Sequence, residues 1–170
     1  PESKISIDCS LSTQFASARF LNCVELDFVV TVELRNVEVS RPYLEMRLEI
    51  LAMAGIEVSR EGSCVSFAAH QKVSKLPNGE LDASSAFQAA LLGVVGDPVS
   101  IPNLTRRSPQ SDTRFVEIFQ AMEVPQQIKS RGGLFDLTVF PAKNPLRNLD
   151  IDLSQSPDLF PGLAVLCAFA

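Results

Sequence analysis

Ile5-Ser6-Ile7-Asp8-Cys9-Ser10 is the stretch of sequence that decides the fold, because its pattern occurs three times along the chain. An alternating apolar run typical of a short strand leads into Asp-x-Ser, and a helical pattern follows. Asp and Ser oxygens can accept hydrogen bonds from the free N–H groups of a helix's first turn. Each copy therefore predicts a strand, a helix cap and a helix. The other copies are residues 79–84, Gly-Glu-Leu-Asp-Ala-Ser, and residues 149–154, Leu-Asp-Ile-Asp-Leu-Ser.

The helices that follow the copies are predicted at residues 12–21, 85–95 and 157–170. In the second of them the apolar residues recur at helical spacing and form one face, made of Phe87, Ala90, Leu91, Val94 and Val95. A second kind of helix is predicted between the copies, at residues 42–53 and 112–122. Its apolar faces consist of Leu44, Leu48 and Leu51 in one case and Phe115, Ile118, Phe119 and Met122 in the other.

Strands are predicted at residues 28–34 and 135–139, where apolar and polar residues alternate. The repeating unit is then strand, helix, strand, helix and one or two further strands, over about 70 to 75 residues. Such units bury helices against sheets, which gives an α/β (α+β) fold class. About two and a quarter units are present. The polar stretch 70–79, with its Pro77-Asn78-Gly79 turn signal, is predicted to join units, and residues 98–111 are interpreted as a loop within the second unit.

The composition excludes several classes of function. A net charge of −5 without a Lys/Arg cluster argues against a nucleic-acid partner, and no apolar run approaches the roughly 18 residues of a membrane span. Four scattered cysteines are predicted to be reduced and mostly buried thiols in a cytoplasmic protein. His70 is the single histidine and is assigned a surface role, and we predict no metal site and no cofactor.

Polar side chains gather where two predicted helices of the first unit begin. Ser12, Thr13 and Gln14 open the first helix, and Ser40-Arg41-Pro42-Tyr43 opens the second. Free N–H groups and the positive end of a helix dipole favour anions at such positions. Hydroxyl, amide, guanidinium and phenol groups suit a phosphorylated ligand rich in hydroxyls, although each residue alone is more often an ordinary helix cap.

The chain resembles the 5-enolpyruvylshikimate-3-phosphate synthase family in five motifs. They occur in the family's order and at compatible spacing across essentially all 170 residues, so the ordered set is specific even though each motif is short. The motifs are Ser10-Leu11-Ser12-Thr13-Gln14-Phe15, Ser40-Arg41-Pro42-Tyr43-Leu44-Glu45-Met46, Asp82-Ala83-Ser84-Ser85-Ala86, Gln110-Ser111-Asp112-Thr113-Arg114-Phe115 and Ser156-Pro157-Asp158.

The resemblance implies an inside-out α/β barrel with two lobes, each built from three βαβαββ units, and substrates bound between the lobes. Residues 1–78 would be one unit of the first lobe. Residues 79–170 would be one unit of the second lobe and the start of the next, with a hinge strand near residues 78–81. The implied enzyme is a cytoplasmic monomer that moves the enolpyruvyl group of phosphoenolpyruvate to the 5-hydroxyl of shikimate 3-phosphate.

The resemblance also implies roles for named side chains. Ser12 and Thr13 would bind the phosphate of shikimate 3-phosphate, Gln14 would contact both substrates, and Ser40 and Tyr43 would complete that wall. Thr13 stands where serine is commoner in the family and keeps the hydroxyl.

Asp158 is the implied catalytic residue. It would bind the hydroxyls of the shikimate ring and act as the general base toward the attacking hydroxyl. A capping role for Asp158 at the start of its helix is compatible with both.

Two other functions stay open at this stage: a related transferase that acts on UDP-N-acetylglucosamine, and a non-catalytic relative that binds a phosphorylated ligand. The chain begins without Met and stops inside the apolar run 163–170, so we expect it to be an excerpt of a longer α/β protein. The family's N-terminal Lys-Ser and Arg, its Asn-Ala-Gly-Thr loop and its downstream Arg and Lys lie outside this chain. We therefore expect the 170-residue piece to be inactive alone.

Overall fold

The computed structural model describes residues 2–168 and divides the chain into two compact units, Pro1–Asn78 and Gly79–Ala170. The first unit contains four strands and two helices in the order predicted for a βαβαββ repeat. They are β1 (Glu2–Asp8), α1 (Gln14–Cys23), β2 (Val29–Arg35), α2 (Arg41–Met53), β3 (Val58–Glu61) and β4 (Cys64–Phe67).

The sheet of the first unit has the strand order β1-β2-β4-β3. β1 and β2 are parallel and are connected through α1, while β4 is antiparallel to both of its neighbours. Alternation in β2 buries Val30, Val32 and Leu34, as the sequence predicted. The helices lie over this apolar face, and the rings of Phe20 and Phe67 are 5.3 Å apart in the core.

The second unit contains a three-stranded antiparallel sheet of order β5-β7-β6. The helices predicted at residues 85–95 and 112–122 are confirmed near those positions. In chain order the elements are α3 (Ala83–Val95), β5 (Val99–Thr105), a 3₁₀ turn (Ser111–Arg114), α4 (Phe115–Ala121), β6 (Gln126–Arg131), β7 (Leu134–Val139), a second 3₁₀ turn (Pro157–Leu159) and α5 (Phe160–Cys167). We call the two turns the 111–114 turn and the 157–159 turn.

Three phenylalanines form the centre of the second core. The ring centroid of Phe87 lies 5.6 Å from that of Phe115 and 5.7 Å from that of Phe119, and all three side chains are fully buried. Val95, predicted on the same helical face as Phe87, is 48% exposed because it ends α3. The helical period therefore predicts the face correctly except at the last residue.

The loop predicted at residues 98–111 is wrong for its first half, which forms β5. β5 is an edge strand, so the N–H that Pro102 lacks leaves no gap inside the sheet. The register with β7 shifts between Ile101 and Leu104, and Asn103 adopts a positive φ of 61° within this irregularity. Pro102 and the bulge thus explain why the sequence of this strand was predicted to be a loop.

Two of the three strands predicted before Asp-x-Ser are also wrong, since neither residues 79–82 nor residues 149–153 belong to a strand. A strand needs a neighbour that completes its ladder. In the described residues the apolar alternation at Ile151 and Leu153 serves instead to pack these side chains on the core.

The predicted capping holds at one copy. Asp82 accepts a hydrogen bond from Ser85 N at 3.1 Å and caps α3. Asp8 and Asp152 instead accept from the N–H two residues ahead, at 3.0 and 2.8 Å, which stabilises a turn before the helix rather than the helix itself. The helix predicted at 157–170 begins as a 3₁₀ turn, and residues 169 and 170 lie outside the described residues.

All four cysteines are free, as predicted, but the prediction that most of them are buried holds only for Cys9 and Cys23. Cys64 is half-buried and Cys167 is exposed. Burial raises the pKa of the Cys9 and Cys23 thiols. In the part of the chain that the structure describes, no helix has the length and apolar character needed to cross a membrane.

Candidate functional site

A hydrogen bond joins the starts of the two helices of the first unit. The hydroxyl of Thr13, at the N-cap of α1, donates to the carbonyl oxygen of Ser40, at the N-cap of α2, over 3.1 Å. Thr13 is 1% exposed and Ser40 is 8% exposed. The structure therefore brings together the two groups of polar residues that lie 27 positions apart in sequence.

Ser12 and Gln14 lie on either side of Thr13 and are more exposed. The hydroxyl oxygen of Ser12 accepts from Gln14 N at 3.1 Å and so stabilises the entry into α1. The hydroxyl hydrogen of Ser12 and the exposed side-chain amide of Gln14 provide hydrogen-bond donors beside the first turn of α1. Donors at a helix N-terminus are suited to phosphate oxygens.

The second helix begins in an unusual backbone conformation. Ser40 has φ 59° and ψ 21°, in the left-handed region that few residues other than glycine adopt. Its carbonyl accepts from Tyr43 N at 3.2 Å as well as from Thr13, and Pro42 occupies the first turn, where its missing N–H costs nothing. The constrained turn orients the start of α2 toward Thr13.

The one guanidinium in this group is already paired. Arg41 Nε lies 3.4 Å from Glu45 Oε1, and Arg60 Nη1 lies 2.8 Å from the same carboxylate. None of the predicted wall residues Ser12, Thr13, Gln14, Ser40 and Tyr43 carries a positive charge, and the Thr13 hydroxyl already donates to Ser40 O. A phosphate dianion bound there would call for a cation other than Arg41.

A carboxylate fixes the turn that leads into the wall. Asp8 accepts from the side chain of Asn36 and from Ser10 N, both at 3.0 Å. The Asn36 hydrogen bond, followed by those from Ser10, holds the pKa of the Asp8 carboxyl below its ordinary value. Because Asn36 follows β2 and Asp8 ends β1, this pair connects the ends of two parallel strands next to the helix starts.

Asp158 lies in the second unit, in the 157–159 turn, and its side chain is exposed. The flanking residues Ser156 and Leu159 are fully buried and anchor the turn. Asp158 thus occupies an exposed position in a turn that is anchored in the core by residues close to it in sequence.

The structure shows a polar cluster around the start of α3 whose residues were assigned no role from the sequence. Gln110 Oε1 accepts from Ala83 N at 2.8 Å while its amide nitrogen donates to Leu81 O at 2.9 Å, and Ser84 donates to the buried carboxylate of Asp112. Both glutamine and aspartate belong to the motif at 110–115, whose sequence carried the resemblance but no assigned role. Burial of an aspartate, 2% exposed here, is decided by tertiary packing and cannot be read from one sequence.

Metal ligation has no support in residues 2–168, where no group of three or more His, Cys, Asp or Glu side chains is placed to hold an ion. His70, exposed and with φ 55°, stands in the coil before the second unit.

Comparison with known proteins identifies what this arrangement resembles. The family model described as EPSP synthase (3-phosphoshikimate 1-carboxyvinyltransferase) matches residues 1–170. The 3-phosphoshikimate 1-carboxyvinyltransferases of Pyrococcus abyssi and Thermococcus kodakarensis are 33% and 35% identical to this chain. Each alignment covers 98% of this chain but only 38% and 39% of the relatives, so the chain spans well under half of their length.

Solved structures show the same fold. The enolpyruvyl transferase NikO from Streptomyces tendae matches with a TM-score of 0.65 at 15% identity, over 100% of this chain and 42% of its own. EPSP synthase from Acinetobacter baumannii matches with a TM-score of 0.63 at 19% identity, over 96% of this chain and 38% of its own. The predicted fold class, the inside-out α/β barrel fold of enolpyruvyl transferases, is confirmed by these likenesses.

Proposed function

Because this chain belongs to the EPSP synthase family, we propose that it is a segment of a transferase that moves the enolpyruvyl group of phosphoenolpyruvate to the 5-hydroxyl of shikimate 3-phosphate. The chain spans 38% of its Pyrococcus abyssi relative, and the activity accordingly belongs to a longer protein. Residues 1–78 contribute one unit of one lobe, and residues 79–170 contribute one unit of the other lobe with the start of the next.

The observation that carries the proposal is the hydrogen bond between Thr13 Oγ1 and Ser40 O. It holds the N-termini of α1 and α2 together. The side chains beside them belong to the family motifs and include the hydroxyl of Ser12 and the amide of Gln14. Several donors fixed before the ligand arrives bind an anion more strongly than mobile ones, since little ordering remains to be done.

In the proposed wall, Ser12 and Thr13 bind the phosphate of shikimate 3-phosphate, and Gln14 contacts both substrates. Ser40 and Tyr43 complete the wall. For this role the Thr13 hydroxyl must exchange its hydrogen bond to the Ser40 carbonyl for one to a phosphate oxygen. The Ser12 hydroxyl only accepts in the described structure, from Gln14 N, so it can donate to the phosphate without losing that bond.

Asp158 takes the catalytic role in the proposal. It accepts the proton of the 5-hydroxyl as that oxygen bonds to C2 of phosphoenolpyruvate, whose C2=C3 π bond breaks while C3 takes up a proton. The tetrahedral intermediate then loses a proton from C3 and expels inorganic phosphate from C2, which re-forms the double bond. An exposed carboxylate on an anchored turn can approach a bound hydroxyl to hydrogen-bond distance, which a general base needs.

Calorimetric titration with shikimate 3-phosphate tests the wall in the full protein that carries this chain. Removing a hydroxyl that donates to a charged phosphate costs about 1.5–3 kcal/mol, so we expect Ser12→Ala and Thr13→Val each to weaken binding by roughly ten- to a hundredfold. Thr13→Ser keeps the hydroxyl and should stay within about threefold of the parent.

The control is Ser59→Ala, which removes a hydroxyl from the exposed strand β3. Unchanged affinity in both Ser12→Ala and Thr13→Val would contradict the phosphate wall. Binding without turnover in the full protein would instead indicate the non-catalytic relative.

We further propose that the full protein is a monomer located in the cytosol. The four free cysteines support that compartment.

A further inference from the structure

Asp158 is reached through a long irregular segment. β7 ends at Val139, the 157–159 turn begins at Pro157, and residues 140–156 contain neither helix nor strand. Backbone ladders therefore do not set the direction in which the Asp158 side chain leaves the protein. The contacts of the segment itself must do so.

Apolar contacts anchor this segment without orienting it. Leu159 is fully buried, and Ile151 and Leu153 pack against the same core. Hydrophobic burial is non-directional, so these residues fix the depth of the segment more than its orientation. Directional groups have to provide the orientation.

Two directional contacts come from the 111–114 turn. The Arg114 guanidinium donates from Nη1 to the carbonyl oxygen of Asp152 at 3.1 Å, and the buried hydroxyl of Ser156 donates to the carbonyl oxygen of Ser111 at 3.4 Å. The first bond is charge-assisted and shorter, and is therefore the stronger of the two. Both hold the backbone within six residues of Asp158.

The 111–114 turn is itself fixed. Thr113 Oγ1 donates to Gln110 O at 2.8 Å, Gln110 holds the start of α3 through Ala83 N, and Ser84 donates to the buried Asp112. A continuous series of contacts thus runs from α3 through the 111–114 turn to Asp152 and on to the 157–159 turn. Local hydrogen bonds from Ser156 N to Leu153 O, at 3.0 Å, and from Leu159 N to Ser156 O, at 3.2 Å, connect its last steps.

We propose that Arg114 is a positioning residue for Asp158, fixing through the Asp152 carbonyl the turn that presents the catalytic carboxylate. This inference rests on the proposed function. Arg114 does not touch the substrate in this role and acts only through the placement of Asp158.

A double-mutant cycle in the full protein tests the inference. Misplacing a catalytic group by about 1 Å can cost up to a hundredfold, so we expect Arg114→Gln to lower kcat about tenfold. In an Asp158→Asn background the same change should cost less than about twofold, because there is then no base to position. Arg114→Lys, which keeps one charged donor, should recover part of the loss.

The matched control is Arg147→Gln, which removes the same charge from an exposed side chain of the second unit, 3.7 Å from Glu123. It should leave kcat unchanged. An equal loss from Arg114→Gln in the parent and in the Asp158→Asn background would overturn the inference, since Arg114 would then support the fold rather than the base.

Amide hydrogen exchange separates this inference from the proposed function. We expect Arg114→Gln to accelerate exchange at the amides of Ser156 and Leu159 about tenfold or more, with exchange in α3 unchanged. If the parent protein shows no turnover, the proposed function fails and exchange alone decides whether Arg114 holds the segment. Unchanged exchange at both amides would overturn the inference whatever the activity.

Discussion

Single polar residues in this chain act by joining the ends of secondary-structure elements. Thr13 and Ser40 join two helix starts, Asp8 and Asn36 join two strand ends, and Arg114 holds an otherwise irregular segment. Each contact is directional and is made where an element begins or ends or where the chain is irregular, so that backbone groups are not already paired. The polar positions that matter to the proposed site are therefore those where one element meets the next.

At the residue scale we predict that Asn36→Ala raises the pKa of Asp8, measured by NMR titration. The Asn36 hydrogen bond favours the carboxylate and is the largest cause of the lowered value. Its stabilising effect is complete above the unfolded-state pKa of about 3.9 and is lost as pH falls through the lower folded-state pKa. The change at the exposed Asn78, Asn78→Ala, should leave Asp8 unaffected, and equal titration curves for Asn36→Ala and the parent would contradict the prediction.

At the scale of elements, helix contacts are set by small residues as much as by large ones. α5 approaches α3 so closely at Gly162 that an added Cβ would lie 2.5 Å from Phe87 Cε1 and 2.7 Å from Leu91 Cδ1. The same principle explains β5, where an edge position accommodates Pro102. Local sequence preference is secondary to the space that the neighbouring element leaves.

We accordingly expect Gly162→Ala to lower the free energy of unfolding by about 1–3 kcal/mol, because overpacking against two buried side chains outweighs a better helix former. Chemical denaturation monitored by circular dichroism measures it. Ala164→Gly, at an exposed position of the same helix, calibrates the propensity contribution at about 1 kcal/mol. A stabilised Gly162→Ala protein would show that the helices move apart freely.

At the scale of the whole molecule, the chain consists of two compact units with separate apolar cores. Each unit supplies a different part of the proposed chemistry: neutral phosphate donors in the first and a carboxylate in the second. Arg41, the guanidinium beside those donors, is paired with Glu45. A reaction between two phosphorylated substrates needs more positive charge than these elements provide.

The prediction at this scale is that the 170-residue chain alone releases no phosphate from phosphoenolpyruvate and shikimate 3-phosphate. A colorimetric phosphate assay, run beside the Pyrococcus abyssi relative as a positive control, measures it. Phosphate release by the chain that disappears in Asp158→Asn would contradict the prediction. It would show that these 170 residues are sufficient for turnover.

The sequence by itself determined the βαβαββ order of the first unit, the apolar faces of α2, α3 and α4 and the motifs of the family, because period and motif order are local properties of the chain. Only the tertiary structure decided that residues 99–105 are a strand, that residues 149–153 are not, and that Asp82 caps a helix whereas Asp8 and Asp152 do not. The hydrogen bonds of Gln110, Asp112 and Arg114 could not be predicted from the sequence either. Strand pairing, burial of a polar side chain and the partner of a guanidinium all depend on residues distant in sequence, and a single sequence does not state which of them meet.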